Sequence, residues 1–502
     1  MKTLFDKKEQ ELDNHYRTYD ILEYPREFII RSVIKGFEDF ELQAPSKTTN
    51  YFDLVNLLNE GTSALNKCIE WAFTNTNTSD LTNFDIEEKE CERITSEYFA
   101  WGYYYSILES FHISFRRNMS KVEVDEKQKI IHFKLLPKES LHFSIQQSLT
   151  SNESNLDKLK NIPDDELEKE YRSIISQQLV DKYLLFYQNL IFPELPLQFN
   201  FDGYTREDFI KFWISMYFTF RRYVFIKREK GSSDTYSRNK EEFIEICKRL
   251  ISENSVISIL NDLTFKPKNN IGITKCPFIL SDDRYYFSPS LITSLDPNLM
   301  LIGALNKTSK KYIYDNAVNT IEQYWTDKIY SILSQVSSFK VNYKRTYRNN
   351  SVIITPDFVV SDVINRELVI IEYKHFVKST KTSETINKQK AVQEANEQVL
   401  KYKKYFLENT REYRGINTKD YTIIPVILFN EPISLSYING NVKYCNYWNL
   451  KKHLRNELSF SEFLEKSNPL KMQGNLDIEN FKIFENRVKM KDWTYIYESM
   501  SI

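Results

Sequence analysis

Three charged side chains stand where an apolar strand would not ordinarily hold them: Asp357, Glu372 and Lys374, in the stretch SVIITPDFVVSDVINRELVIIEYK from Ser351 to Lys374. Two Val- and Ile-rich runs, Val352 to Val360 and Leu368 to Ile371, flank a short polar segment, a pattern that predicts a β-hairpin. A turn centred on Ile364 and Asn365 places Asp357 opposite Glu372, and strand alternation puts Lys374 on the face of Glu372 with Tyr373 pointing away. Facing carboxylates repel. A divalent cation relieves that conflict: hard ions such as Mg²⁺ take one or two carboxylates plus water and substrate phosphate. Such an ion activates water and polarises a phosphoryl oxygen, and a lysine beside it orients the water or offsets developing charge.

Pro356 and Asp357 followed by Glu372, Tyr373 and Lys374 resemble the signature of the PD-(D/E)XK nuclease superfamily. The next helix, NKQKAVQEANEQVLKYKKYFLE from Asn387 to Glu408, carries Gln398 and Tyr402 four apart on one face. That pair is similar to the additional motif of the RecB-like branch. The resemblance implies an α/β restriction-endonuclease-like core of helix, three-stranded meander, helix and strand, preceded by a large mainly α-helical region. It covers roughly Tyr314 to Asn430, about a quarter of the chain. Tyr314 to Gln335 is the leading helix, with Glu322 as a candidate further ligand. Phe339 to Tyr347 is the first strand, and Tyr421 to Phe429 (YTIIPVILF) is the buried strand after the Gln398 helix.

The implied activity is Mg²⁺- or Mn²⁺-dependent hydrolysis of phosphodiester bonds in nucleic acid, with DNA favoured over RNA. Restriction or anti-phage defence is its context by analogy. Asp357, Glu372 and the carbonyl of Tyr373 are the expected ligands, Lys374 the water-positioning group, and Gln398 and Tyr402 the residues that order the site. A catalytically silent scaffold on the same fold and a transposition or recombination endonuclease are the alternatives. Other Glu-x-Lys and Pro-Asp matches, Glu87 to Lys89 and Pro163 to Asp164, fall in helical contexts and not in apolar strands.

At 502 residues the chain is long enough for several domains. Gly is scarce, 10 residues, and neither G-x-G-x-x-G nor a P-loop occurs, which excludes a nucleotide-driven motor in this chain. Net charge is −1, yet Lys374 to Lys404 holds eight Lys against three Glu, a local footprint for phosphate contacts. Lys378, Lys381 and Lys388, with Lys344 and Arg345 on the first strand, are the candidate nucleic-acid contacts. Five dispersed Cys give neither zinc spacing nor a disulfide framework, and no apolar run reaches a membrane span. A cytoplasmic protein is expected.

The expected organisation is a mainly helical region over 1–265 with a hairpin near 121–134, a β-rich connector over 266–310, the core over 311–450, and a helical or mixed extension over 451–502. Aromatic density over Phe84 to Arg117 reads as packing, and Thr205 with Asp208 as a helix cap. The helical region carries no motif; substrate recognition, binding of a protein partner or a second copy, and holding the enzyme inactive are roles among which the sequence does not choose.

Overall fold

A computed structural model describes residues 2–47, 51–74, 88–116, 120–135, 177–230, 236–267, 271–281, 283–306, 310–349, 352–376, 382–409, 418–430, 439–454, 460–466, 482–490 and 492–501. The chain is mixed α/β with a helical N-terminal region, and it divides into two compact units. The first comprises Met1–Lys134, Asn152–Val318 and Glu485–Ser501; the second comprises Leu135–Ser151 and Asn319–Phe484.

In the first unit, helices Arg26–Lys47, Tyr51–Thr74 and Glu88–Arg116 pack on one another. Ile29, Ile30, Val33, Ile34 and Phe37 recur at helical spacing and are fully buried. Gly102 lets the Glu88–Arg116 helix pack tightly on the Tyr51–Thr74 helix: a Cβ there would lie 2.5 Å from Cys68 Sγ and 3.1 Å from the Ala64 carbonyl oxygen. Of the aromatics of this stretch, Tyr98, Phe99 and Tyr105 are core as expected, whereas Tyr104 is exposed and Trp101, Tyr103, Phe111 and Phe115 are half-buried; the Tyr98 hydroxyl donates to the Cys68 carbonyl at 2.9 Å. Helix Arg206–Lys230 begins with the expected cap: Thr205 N–H donates to Asp208 Oδ2, and Asp208 N–H to Thr205 Oγ1. The hairpin near 121–134 is present as β1 (Ser120–Asp125) and β2 (Ile130–Leu135), with the Asp125 carboxylate accepting two turn N–H groups. Among its described residues, the segment read as a β-rich connector has only the three-residue strands β4 (Ile279–Ser281) and β5 (Arg284–Tyr286), which form a sheet with β3 (Ser237–Asn239). Its remainder includes helices Pro289–Ser294 and Pro297–Asn306, each opened by a proline that suits a first helical turn.

The second unit is built on a five-stranded sheet. Its strands are β6 (Phe339–Tyr343), β9 (Phe358–Asp362), β10 (Glu367–Lys374), β11 (Thr422–Phe429) and β12 (Lys443–Asn446), in the order β12-β11-β10-β9-β6. β6, β9 and β10 form an antiparallel meander; β10, β11 and β12 are mutually parallel. Helix Thr382–Glu408 packs Val392, Ala395, Val399, Tyr402 and Phe406 against Val359, Leu368, Ile370 and Ile427 of the sheet. The β9–β10 turn spans residues 363–366, where the buried Asp362 carboxylate accepts from the N–H groups of Ile364 and Asn365.

Two strand expectations need correction. The run from Val352 to Val360 is not one strand: Val352–Ile354 (β8) pairs with Tyr347–Asn349 (β7) in a separate ladder, and β9 starts only after Pro356 and Asp357. Proline cannot supply the ladder N–H, which accounts for the interruption. The first strand likewise ends at Tyr343, because Lys344 adopts a positive φ of 41°, although its N–H still makes the next bond in the ladder register, to the Asp357 carbonyl at 2.8 Å. The chain turns at Asn439 and Gly440, with Val442 N–H donating to the Asn439 carbonyl, and β12 after it runs parallel to β11. Residues 482–501, expected within a C-terminal extension, form β13 (Lys482–Met490) and β14 (Trp493–Ser501), which join β1 and β2 in the order β1-β2-β14-β13.

Candidate active site

The register of β9 against β10 follows from the turn. Ile371 pairs with Phe358 and Glu367 with Asp362, so the next step carries Asp357 opposite Glu372. By alternation, Glu372 and Lys374 continue the face of Leu368 and Ile370, which packs on the Thr382–Glu408 helix. That helix brings Gln398 and Tyr402 to the same face. Gln398 Nε2 donates to the Tyr402 hydroxyl at 2.6 Å, and that hydroxyl donates to the Thr355 carbonyl at 3.4 Å, just before Asp357.

Asp357 Oδ2 accepts the Tyr373 N–H at 2.8 Å. Burial raises the Asp357 carboxyl above the usual carboxylate range; the Tyr373 N–H, Lys374 and Lys344 oppose the rise, and Glu322 adds to it. Glu372 is only 4% exposed. Its Oε1 accepts from Lys374 Nζ at 2.9 Å, while its buried Oε2 has no hydrogen-bond partner among the described residues. Burial first, then the Asp357 charge, pushes the Glu372 carboxyl up to about 7, against the pull of Lys374. A carboxylate oxygen left buried and unbonded is costly and calls for a cation or a proton.

Glu322, on helix Lys311–Ser334, acts electrostatically on both carboxyls and stands 4.0 Å from Lys344 Nζ. It is not gathered with them: among the described residues, no three His, Cys, Asp or Glu side chains form a metal-ligating group. Of the candidate phosphate contacts, Lys344 adjoins Asp357 through its backbone, Arg345 follows it half-buried, and the Lys388 ammonium lies 5.7 Å over the Phe376 ring. Lys378 and Lys381 lie outside the described residues.

Two residues at the site escape the sequence reading. Asn430, buried directly after β11, accepts the Phe376 N–H at 2.8 Å and donates to the Phe376 carbonyl at 3.1 Å, fixing the chain two residues past Lys374. A polar amide closing the apolar run YTIIPVILF is its only signal. His375, next to Lys374, is drawn down to about 4 by burial, with Lys388 adding to the effect, and so is neutral at physiological pH.

No protein-family model, curated protein or solved structure matches this chain.

Proposed function

We propose that the chain is a divalent-metal-dependent nuclease of the PD-(D/E)XK superfamily, RecB-like branch, which hydrolyses phosphodiester bonds of nucleic acid, DNA in preference to RNA. The observation that carries this reading is the buried, unbonded Glu372 Oε2 facing Asp357 beside Lys374. The meander of β6, β9 and β10, followed by the Gln398 helix and the parallel strand β11, supports the restriction-endonuclease-like core.

The donor set fits Mg²⁺ or Mn²⁺: Asp357 and Glu372, with the Tyr373 carbonyl, would hold the ion, and Glu322 stands apart from them. Bound there, the ion supplies Lewis acidity and a lowered pKa for attacking water. Lys374, which in this structure donates to Glu372 Oε1, is the ammonium that holds a water or a phosphate oxygen beside the carboxylates. Tyr402, held by Gln398, keeps the Thr355-to-Asp357 segment against the helix. Burial makes these interactions stronger than they would be in water.

The test is cleavage of single- and double-stranded DNA and RNA with Mg²⁺, Mn²⁺ or EDTA, comparing wild type with Lys374→Ala. Metal-dependent cutting that falls at least about 100-fold in the variant is the expected result. Cutting that survives EDTA, or an unimpaired variant, would sink this assignment.

A further inference from the structure

A cluster of aromatic and cationic side chains lies at the same end of the sheet. β10, β11 and β12 are parallel, and their ladders align Lys374 with Phe429 and Phe429 with Asn446. At about 4.8 Å per strand, Asn446 stands roughly 10 Å across the sheet from Lys374. Open sheets with parallel strands bind ligands outside the carboxyl ends of those strands. At that end the chain leaves β12 through Tyr447 and Trp448, which open the helix Tyr447–Leu454.

Tyr447 is buried, whereas Trp448 is 50% exposed. Its ring meets Tyr447 and the buried Trp325 edge-on, at 5.3 Å and 6.3 Å, so neither neighbour stacks on it. The Lys451 ammonium lies 6.0 Å over the Trp448 ring, and Lys328 lies 4.3 Å over Tyr324 and 5.4 Å over Trp325. Residues 439–454 contain Lys443, Lys451 and Lys452 and no acidic residue. A lone exposed tryptophan is ordinary. An indole braced by two buried aromatics and bordered by cations, on a segment without acids, is chemically matched to a base face and its flanking phosphates.

We propose that Trp448, with Lys451 and Lys328, is a stacking platform for an unpaired stretch of nucleic acid. The strand it holds leads to the carboxylates at Asp357 and Glu372; that last clause alone rests on the nuclease reading. A paired duplex hides its base faces, so the platform selects single strands or frayed ends. Stacking on a bare indole is tolerant of base identity.

The experiment uses the full chain in EDTA, with binding of fluorescein-labelled oligo(dT), oligo(U) and a blunt DNA duplex followed by anisotropy at several salt concentrations. Trp448→Ala is expected to weaken oligo(dT) binding roughly 5- to 150-fold, with Trp448→Phe recovering most of the loss. Lys328→Glu combined with Lys451→Glu weakens binding and flattens its salt dependence. Circular dichroism confirms that each variant is folded. The platform is refuted if wild type does not bind oligonucleotide, if it prefers the blunt duplex, or if folded Trp448→Ala and the charge-reversed protein bind as wild type does. Trp448-dependent binding without metal-dependent cleavage would uphold the platform and remove the nuclease reading. Cleavage with Trp448-independent binding would do the reverse.

Discussion

Glu372→Gln separates the cost of a buried charge from the contribution of the side chain that carries it. In the metal-free protein the Glu372 carboxyl is pushed from its ordinary 4.5 to about 7, by burial and by Asp357. A carboxyl raised on folding contributes stability that is fully present below its unfolded value near 4.5 and is lost as pH climbs through the folded value near 7. A rise from 4.5 to about 7, at about 1.4 kcal/mol per pH unit, makes that loss about 3 kcal/mol, essentially complete by pH 8. Glutamine keeps the shape and removes the charge, but it leaves Lys374 without its ion pair. The pull of that ammonium on the ionised carboxylate is already contained in the net rise to about 7. The variant should therefore exceed wild type by about 3 kcal/mol at pH 8 in EDTA, with the advantage vanishing near pH 4. Because the chain has two compact units, whole-chain unfolding does not isolate this site. Hydrogen exchange of the β10 amides, corrected for the intrinsic pH dependence of exchange, reads the site locally. Mg²⁺ should restore β10 protection in wild type at pH 8 and leave the variant unmoved. Protection in wild type and variant that runs parallel from pH 5 to pH 8 would show that Glu372 is not a destabilised buried carboxylate.

Metal binding at the same site should be coupled to protons. Calorimetry of Mg²⁺ binding in buffers of different ionisation enthalpy should show tighter binding at pH 8 than at pH 6. Up to about one proton should be released per ion near pH 7, because the ion displaces the proton from Glu372. Asn430→Ala removes both hydrogen bonds to the Phe376 backbone and should destabilise the second unit by about 1–3 kcal/mol. It should also lower metal-dependent cleavage while oligonucleotide binding at Trp448 persists, a contrast that kinetics and anisotropy measure side by side.

The legible part of the molecule is the part governed by local rules. Strand alternation and a turn centred on Ile364 and Asn365 were enough to set Asp357 against Glu372, since the two-residue period ties every pairing to the turn. Helical spacing likewise put Gln398 over Tyr402. Where the reading failed, one continuous apolar run hid a break. Val352 to Val360 is strand-like by composition throughout, but Pro356 and the positive φ of Lys344 divide both it and the preceding strand. Pairings between distant segments were not legible: nothing near Ile130 announces Thr494, and nothing in YTIIPVILF announces that Asn430 clamps Phe376. Trp448 has the opposite lesson, since an exposed aromatic beside a strand looks in sequence like any core residue.

β14 lies parallel to β2, with Thr494 beside Ile130 and Tyr497 beside Phe133. In chain order most of the second unit, Asn319–Phe484, is inserted between segments of the first, whose sheet waits for more than 350 residues of synthesis before it can be completed. During translation the inserted unit has all of its strands, β6 through β12, before the host sheet receives β13 and β14. Until then, the Ile130–Leu135 strand presents an unsatisfied edge whose Ile131 and Phe133 are destined for full burial, an invitation to pair with another nascent chain. A fragment cut after the inserted unit would keep that edge permanently, so poor solubility of such a fragment would reflect the thread of the chain and say nothing about the integrity of the second unit.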